Sequence, residues 1–419
     1  MTSILAQIGT ITAGTTLLQL ANGLLQVLLP LRMTADGLSV GAIGAVATSY
    51  GLGFAAGCIV APMFVRHVGH IRAFASLAAV VTVVALAFTQ ADSAAAWMAL
   101  RAVSGLAFAG LFTIADSWIS ARASRGNRGR VVAAYMVCTK VALMVSPLLI
   151  GLGEIAGDGL FMTVAALLCL SLVPLAAATS EEPALPSAIR PNVAVLFRVA
   201  PSAVVASVGV GLMNGPVMAL APVYGVAVGL SPALAALLLV AIQGGSLVFQ
   251  WPLGWLSDQI DRRLVIAGLA CGASAVSALI VWGSTSGDPL SIAIGCALWG
   301  GLALCIYAVC VAHASDLVEP NRIVPTISTL LTCWAVGMMI GPLLASAMME
   351  RLGAHGLFVY AGLVSISIAA FVVLRIVVRQ RTPVPGGFVD LPPSSPATVT
   401  LGRSGPSPGI SASPEEPRG

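Results

Sequence analysis

Three charged residues lie deep inside apolar stretches of this chain: Arg101, Asp116 and Lys140. A charge near the centre of a bilayer costs at least about 2.5–3.5 kcal/mol, so each is a functional candidate by position alone. Arg101 and Asp116 are fifteen residues apart and project within about 60° of each other on one helix face, which Phe108 and Phe112 share. Asp116 and Lys140 sit about 9 and about 15 Å from the same end of adjacent helices, so a hairpin of the two could pair them. One reading is a static ion pair that locks the hairpin. The other is a proton switch at Asp116, since burial favours a neutral carboxyl and a nearby cation a charged one. Arg101 does not titrate; it would tune a carboxyl, hold an anion, or bond backbone carbonyls.

Neutral polar residues form a second set. Thr12, Thr15, Gln19, Asn22 and Gln26 follow an i, i+3, i+7, i+10, i+14 pattern, which is one continuous helix face. Such a face turns from lipid toward another helix or toward water. Asn214 with Met218 and Gln243 with Gln250 are spaced by one and two helical turns, and Tyr50, Trp299 and Tyr307 complete the set, while His313 and Asp316 near the end of span ten read as gate or interface residues. Trp299 and Phe112 could stack on a substrate or simply pack. The four histidines are scattered, without metal-ligand spacing, and no HExxH or Walker A sequence occurs. No metal and no cofactor are expected.

The elements that must position these residues are membrane helices. Hydrophobic residues make up 58% of the chain and charged ones 9%, against roughly 25% charged in soluble domains. Mean hydropathy is +0.99. Lipid is therefore the expected solvent, and the net charge of +4 gives no case for nucleic acid. Apolar runs predict twelve spans near 5–30, 40–64, 73–90, 96–121, 130–151, 159–178, 202–226, 232–256, 264–284, 290–313, 324–348 and 356–378. Span seven is expected to be broken at Pro216 and Pro222. The first charge is Arg32, so the leading apolar stretch reads as a span and not a cleaved leader. The eight cysteines fall in apolar stretches and read as small buried hydrophobes.

Arg66, Arg72, Arg122, Arg125, Arg128, Arg130, Arg190, Arg198, Arg262, Arg263, Arg322, Arg375, Arg379 and Arg381 fall on even-numbered connections or just after span twelve. Only Arg32 and Arg351 fall on odd ones. That asymmetry predicts cytoplasmic termini in a bacterial inner membrane. Residues 1–178 and 202–381 are the expected six-helix halves, 179–201 a cytoplasmic linker, and 382–419 a disordered tail rich in Pro, Ser and Gly.

The halves repeat each other. CTKVALMVSPLLIG (138–151) aligns with CWAVGMMIGPLLAS (333–346) at an offset of 195. PMFVRHVGHIR (62–72) aligns with PLGWLSDQIDRR (252–263) at 192. Repeats around a midplane site are a common transporter plan.

Together these motifs resemble those of the major facilitator superfamily, over residues ~1–380. The family's GxxxDxxGRR-type loop motif is matched by Gly254, Asp258, Arg262 and Arg263, with Asp261 in place of the glycine. Its first copy is degraded to Pro62, Arg66, Gly69 and Arg72. Arg101 with Gly105 matches the span-four motif. Ala142, Ser146, Pro147 and Gly151 partly match the span-five antiporter motif, and Gly337, Gly341 and Pro342 come closer. SRGNRGRVVAAYM (124–136) and the QWPLGWLSD run from Gln250 resemble the YcaD-like branch.

The resemblance implies an all-α membrane protein of twelve helices in two pseudo-symmetric halves, with spans one, four, seven and ten lining a central cavity. It implies a monomeric secondary transporter that moves a small molecule by alternating access, proton-coupled through Asp116, Lys140 and Arg101, with a slight lean toward export. Thr15, Gln19, Asn22, Gln26, Phe108, Phe112, Asn214, Met218, Gln243, Trp299 and Tyr307 are then the expected cavity residues. Gly69, Arg72, Gly254, Asp258, Arg262 and Arg263 form the expected cytoplasmic gate, where Asp258 would face the positive N-terminal end of a helix from the opposite half. The alternative for that loop is simple positive-inside anchoring. A non-transporting sensor and a membrane enzyme are the competing functions; the chain shows no folded cytoplasmic domain for the first and no catalytic motif for the second.

Overall fold

The computed structural model of the protein describes residues 2–122, 128–176, 192–284, 287–319 and 322–378. The tail at 382–419, the linker up to 191, and Arg125, Arg190, Arg379 and Arg381 lie outside these residues. So do the first four residues of the 124–136 stretch.

In lipid every backbone N–H and C=O must bond within its own segment, which makes apolar runs of this length helical. The helices are α1 (Thr2–Ala35), α2 (Val40–Val68), α3 (His70–Ala87), α4 (Ala94–Arg122), α5 (Arg128–Val145), α6 (Gly159–Ala176), α7 (Val193–Val199), α8 (Pro201–Ala227), α9 (Pro232–Gln259), α10 (Arg262–Gly283), α11 (Pro289–Ala303), α12 (Ile306–Ser315), α13 (Ile323–Leu352) and α14 (Gly356–Val378). Among the described residues eleven spans are long and apolar enough to cross a membrane, with α11 and α12 together making one of them, and the shorter apolar Gly159–Pro174 is a twelfth. The short α7 sits at the end of the linker, tied to α13 by the Asn192 N–H, which donates to Thr329 Oγ1 at 3.2 Å.

Local sequence explains most of the joints. Ser39, Ser231 and Asp288 cap α2, α9 and α11 through their side-chain oxygens, and proline opens α9 and α11. Gly69 turns the chain from α2 to α3 at φ 84°, a conformation that favours glycine. At the matching joint between α9 and α10 stands Asp261. It stays at negative φ and caps α10 instead, accepting from the Arg263 N–H.

One expectation about a helix break is corrected. Span seven is continuous: α8 runs through Pro216 and Pro222. Neighbouring helices can satisfy the carbonyls that a membrane proline frees, and Gly341 of α13 lies against the Pro216 ring. The break falls instead in span ten, at Leu304 and Cys305. Span five is an α-helix to Val145 and then a 3-10 segment, Ser146–Leu152, that starts at the Ser146–Pro147 pair.

The two halves pack alike. α1 contacts α5 and α6 as α8 contacts α13 and α14; α2 crosses α4 as α9 crosses α11; α3 meets α6 as α10 meets α14. The crossings repeat at the level of single residues. Gly53 faces the Ala102 carbonyl and Gly105 the Tyr50 carbonyl; Gly245 faces the Ala297 carbonyl and Gly300 the Ile242 carbonyl. Going from the first crossing to the second, the offsets are 192 on one helix and 195 on the other, the same two as in the sequence repeat. One turn on, the roles swap: Gly57 meets Leu106 in the first half, whereas Gly301 meets Phe249 in the second. Between halves, α2 packs on α13, α1 and α2 on α8, and α5 with its 3-10 extension on α9. At the end of the bundle that holds the odd-numbered connections, the Gly41 N–H near the start of α2 donates to Glu350 Oε1 at 2.9 Å. A cavity of about 200 Å³ at that end is lined by Leu31, Thr34, Ala35, Ile155, Val226 and Pro232.

Candidate functional site

The polar stripe of α1 is turned inward. Thr15, Gln19 and Asn22 are buried and Gln26 is partly so. Thr15 returns its hydroxyl to the Ile11 carbonyl at 2.9 Å. Asn22 Oδ1 accepts from the Tyr50 hydroxyl at 3.4 Å. Gln19 Oε1 has no hydrogen-bond partner. Above the Tyr50 ring, 4.1 Å from its centroid, lies the Arg101 guanidinium, 6% exposed, with Nη1 unbonded. From Tyr50 a ladder of rings continues: Phe54 at 5.9 Å, Phe112 at 6.4 Å from Phe54, and Phe108 stacked on Phe112 at 5.8 Å. Three elements therefore meet at one cation, and α4 supplies both the cation and half of the aromatic wall.

Asp116 is buried and accepts a hydrogen bond from Tyr135 of α5 at 2.8 Å. Lys140 of α5 donates to Gln250 of α9 at 2.8 Å, across the boundary between the halves. Tyr135 and Gln250 are thus bonded partners of these two residues. Because α4 is unbroken from Ala94 to Arg122, fifteen residues put roughly 22 Å between the Cα atoms of Arg101 and Asp116. They share a face but cannot touch.

In the second half, Asn214 is buried on α8 with Oδ1 unbonded, and Met218 lies one turn away, partly buried. Gln243 is partly buried on α9. Trp299 is fully buried and meets Phe358 of α14 edge-on at 6.2 Å, and Tyr224 meets the same ring at 4.9 Å. That makes Trp299 part of a packed cluster of α8, α11 and α14. Tyr307 follows the break in span ten; it is 3% exposed, its hydroxyl is unbonded, and its ring is 6.2 Å from that of Trp334.

The expected gate residues lie at the even-numbered connections. Arg72 is exposed, and Gly254 is buried in α9. Arg262 is 2% exposed and forks between two acids, with Nη2 3.2 Å from Asp258 and Nε 2.8 Å from Asp316 just beyond α12. Arg263 pairs with Asp261 at 2.9 Å. These ion pairs all lie within the second half, tying the 8–9 loop to the end of span ten. Burial pushes the Asp261 carboxyl up, but bonds from the Arg263 side chain and N–H outweigh it and hold it below the ordinary value. Burial raises the Asp316 carboxyl, with Arg262 opposing.

Among the described residues no cluster of three or more His, Cys, Asp or Glu is placed to hold a metal ion. The arrangement offers one buried cation with an aromatic wall, one buried carboxylate held by a phenol, and one polar clasp between halves. Phe54, Tyr135 and Glu350 did not stand out in the sequence. A Tyr five residues beyond Arg130 was the available signal for Tyr135.

A family model for the Major Facilitator Superfamily matches residues 11–300 and 200–406. YcaD of Escherichia coli O45:K1 (strain S88), described as an uncharacterized MFS-type transporter, is 24% identical over 387 residues, covering 90% of this chain and 97% of its own. Among solved structures, a mutant of the nucleoside transporter NupG aligns with a TM-score of 0.74 at 11% identity, over 88% of this chain and all of its own. A bacterial homologue of the human lysosomal transporter Spinster, inward-facing and unoccupied, aligns with a TM-score of 0.64 at 13% identity, over 96% of each chain. At these identities the two structures speak for the fold alone.

Proposed function

The chain belongs to the Major Facilitator Superfamily and is a multi-pass membrane transporter, not an enzyme, and from that premise we propose that it moves a small molecule by alternating access coupled to protons. The observation that carries the coupling is Asp116. It is the one carboxylate in the interior of any span, and a hydrogen bond from Tyr135 on the next helix supports its holding a charge there. When the halves rock, that site gains or loses water, and the balance between charged and neutral carboxyl changes with it. Lys140, bonded to Gln250 of the other half, senses the same motion, because the clasp joins the two moving bodies.

The arginine asymmetry supports an inner-membrane orientation with both termini in the cytoplasm. The odd-numbered connections are then outside, where the Gly41–Glu350 bond joins the halves, and this favours a state closed to the outside. The partial antiporter motif around Pro147 favours export. The protein acts as a monomer on its solute and protons, in lipid and without nucleic acid.

The test is flux in proteoliposomes under an imposed pH gradient, read by a pH-sensitive dye across a panel of solutes. Wild type is expected to dissipate the gradient with at least one solute and Asp116→Asn with none. Undiminished proton flux in Asp116→Asn sinks the coupling.

A further inference from the structure

We infer that the solute is an amphipathic organic anion whose carboxylate docks on Arg101 and whose apolar body lies along Tyr50, Phe54 and Phe112. The inference rests on the transport reading and adds the substrate class to it.

Arg101 is the starting point. It is 94% buried, on a relative exposure of 6%, and among the described residues it has no ion-pair partner. Its recorded contact is the Tyr50 ring face at 4.1 Å. A ring face takes up part of the charge but accepts none of the five in-plane N–H groups, and Nη1 is left unbonded. Leaving a buried cation so is costly. The chain offers little relief: Asp116 is roughly 22 Å away along the same rigid helix, and every other carboxylate lies at a helix end or in a connection. A planar two-oxygen acceptor from outside the chain fits the guanidinium fork.

The surroundings choose the rest of the molecule. Gln19, with its Oε1 unbonded, and Asn22 lie on the α1 face that reaches Tyr50, and their side-chain amides can donate to the same anion. In the other direction the wall is aromatic, from Tyr50 through partly buried Phe54 to Phe112, which is 8% exposed. A polyol body would leave its hydroxyls unpaired against those rings, whereas an aryl or alkyl body buries there. A cationic solute meets Arg101 as a like charge.

Three probes with one ring and different heads separate these classes: benzoate, benzamide and benzylamine, with 2-naphthoate as a longer body. Binding to the purified full chain in detergent is followed by tryptophan fluorescence and by the shift in thermal unfolding. Benzoate and naphthoate are expected to bind at least about tenfold more tightly than benzamide, with benzylamine weakest. Arg101→Gln is expected to remove the preference for carboxylate over amide. Arg101→Lys keeps the charge without the fork and is expected to retain a weaker preference, so the result does not depend on Arg101→Gln folding. Equal binding of benzoate and benzamide to wild type overturns the inference. So does a preference for carboxylate that survives in a folded Arg101→Gln, or the lack of any carboxylate-dependent signal at about 10 mM. Binding in detergent needs no flux, so this result stands apart from the Asp116→Asn experiment: benzoate recognition kept in Asp116→Asn with proton flux intact removes the coupling and leaves the anion site.

Discussion

Replacing Gly300 by alanine is expected to destabilise the protein, while the same replacement at Gly268 is not. A Cβ on Gly300 would fall on the Ile242 carbonyl, and its three nearest contacts are all backbone atoms of α9. No side chain can swing aside, so α9 and α11 must move apart. Overpacking of this kind costs typically about 1–3 kcal/mol. Against it stands the gain of up to about 1 kcal/mol from replacing glycine by alanine inside a helix. The net expectation is a loss of about 1–2 kcal/mol for Gly300→Ala. At Gly268 on α10 nothing lies within 4 Å of the added carbon, so only the helix gain acts, and the change is expected to be neutral to stabilising by up to about 1 kcal/mol. Gly105→Ala should match Gly300→Ala, since Gly105 meets the Tyr50 carbonyl at the equivalent crossing. As the two crossings lie in separate halves, their costs should add. Reversible unfolding in detergent micelles, at fixed detergent and lipid, measures all four variants. A Gly300→Ala protein as stable as wild type, or a drop at Gly268 as large as that at Gly300, would refute the argument from close backbone approach.

Two further expectations follow from the polar contacts. A double-mutant cycle with Lys140→Met and Gln250→Leu should give a coupling energy of about 0.6–1.7 kcal/mol, the range for hydrogen bonds between membrane helices; a value of zero would remove the clasp between halves. Asp261 has its carboxyl held below the ordinary value by Arg263 despite the opposing effect of burial, so its stabilising contribution is present above the unfolded-state value and is lost as pH falls through the lower, folded one. Asp261→Asn should therefore lower the unfolding temperature at neutral pH, with the gap to wild type closing in strong acid; a gap independent of pH contradicts this.

Apolar run length and basic flanks made the scaffold legible. The expected span at 356–378 coincides with Gly356–Val378, and the one at 232–256 falls inside Pro232–Gln259. Lipid leaves the backbone no alternative to a helix, so composition alone decides these elements. The duplication was legible too, and the glycine crossings at offsets of 192 and 195 were present in the sequence without marking themselves, because a glycine's role depends on which carbonyl it faces. Prolines misled. Pro216 and Pro222 do not interrupt α8, whereas the break at Leu304 and Cys305 has no proline at all.

Residue type and position were readable for the site, and bonding partners such as Tyr135 and Phe54 were not. Helix depth placed Lys140 near Asp116 and gave no mark to Tyr135, five residues earlier on α5 and turned from Lys140 by about 140°. The structure bonds Tyr135 to Asp116 and Lys140 to Gln250. Conversely, a shared face joined Arg101 to Asp116, and the rise along α4 keeps the two from direct contact. That separation leaves two centres on α4, a cation with an aromatic wall toward the odd-numbered connections and a carboxylate toward the even-numbered ones.

The most direct test of alternating access measures two distances in one protein. Spin labels at Asp36 and Ala233 report the odd end, and labels at Arg72 and Gln259 the even end; all four positions are exposed, and each pair spans the two halves. The eight native cysteines are replaced first. Double electron–electron resonance in nanodiscs is then recorded at acidic and alkaline pH, with and without benzoate. The account predicts two populations at each end that exchange in opposite senses, the odd-end distance lengthening as the even-end distance shortens. A single unchanging distance at both ends, or both ends opening together, would contradict it.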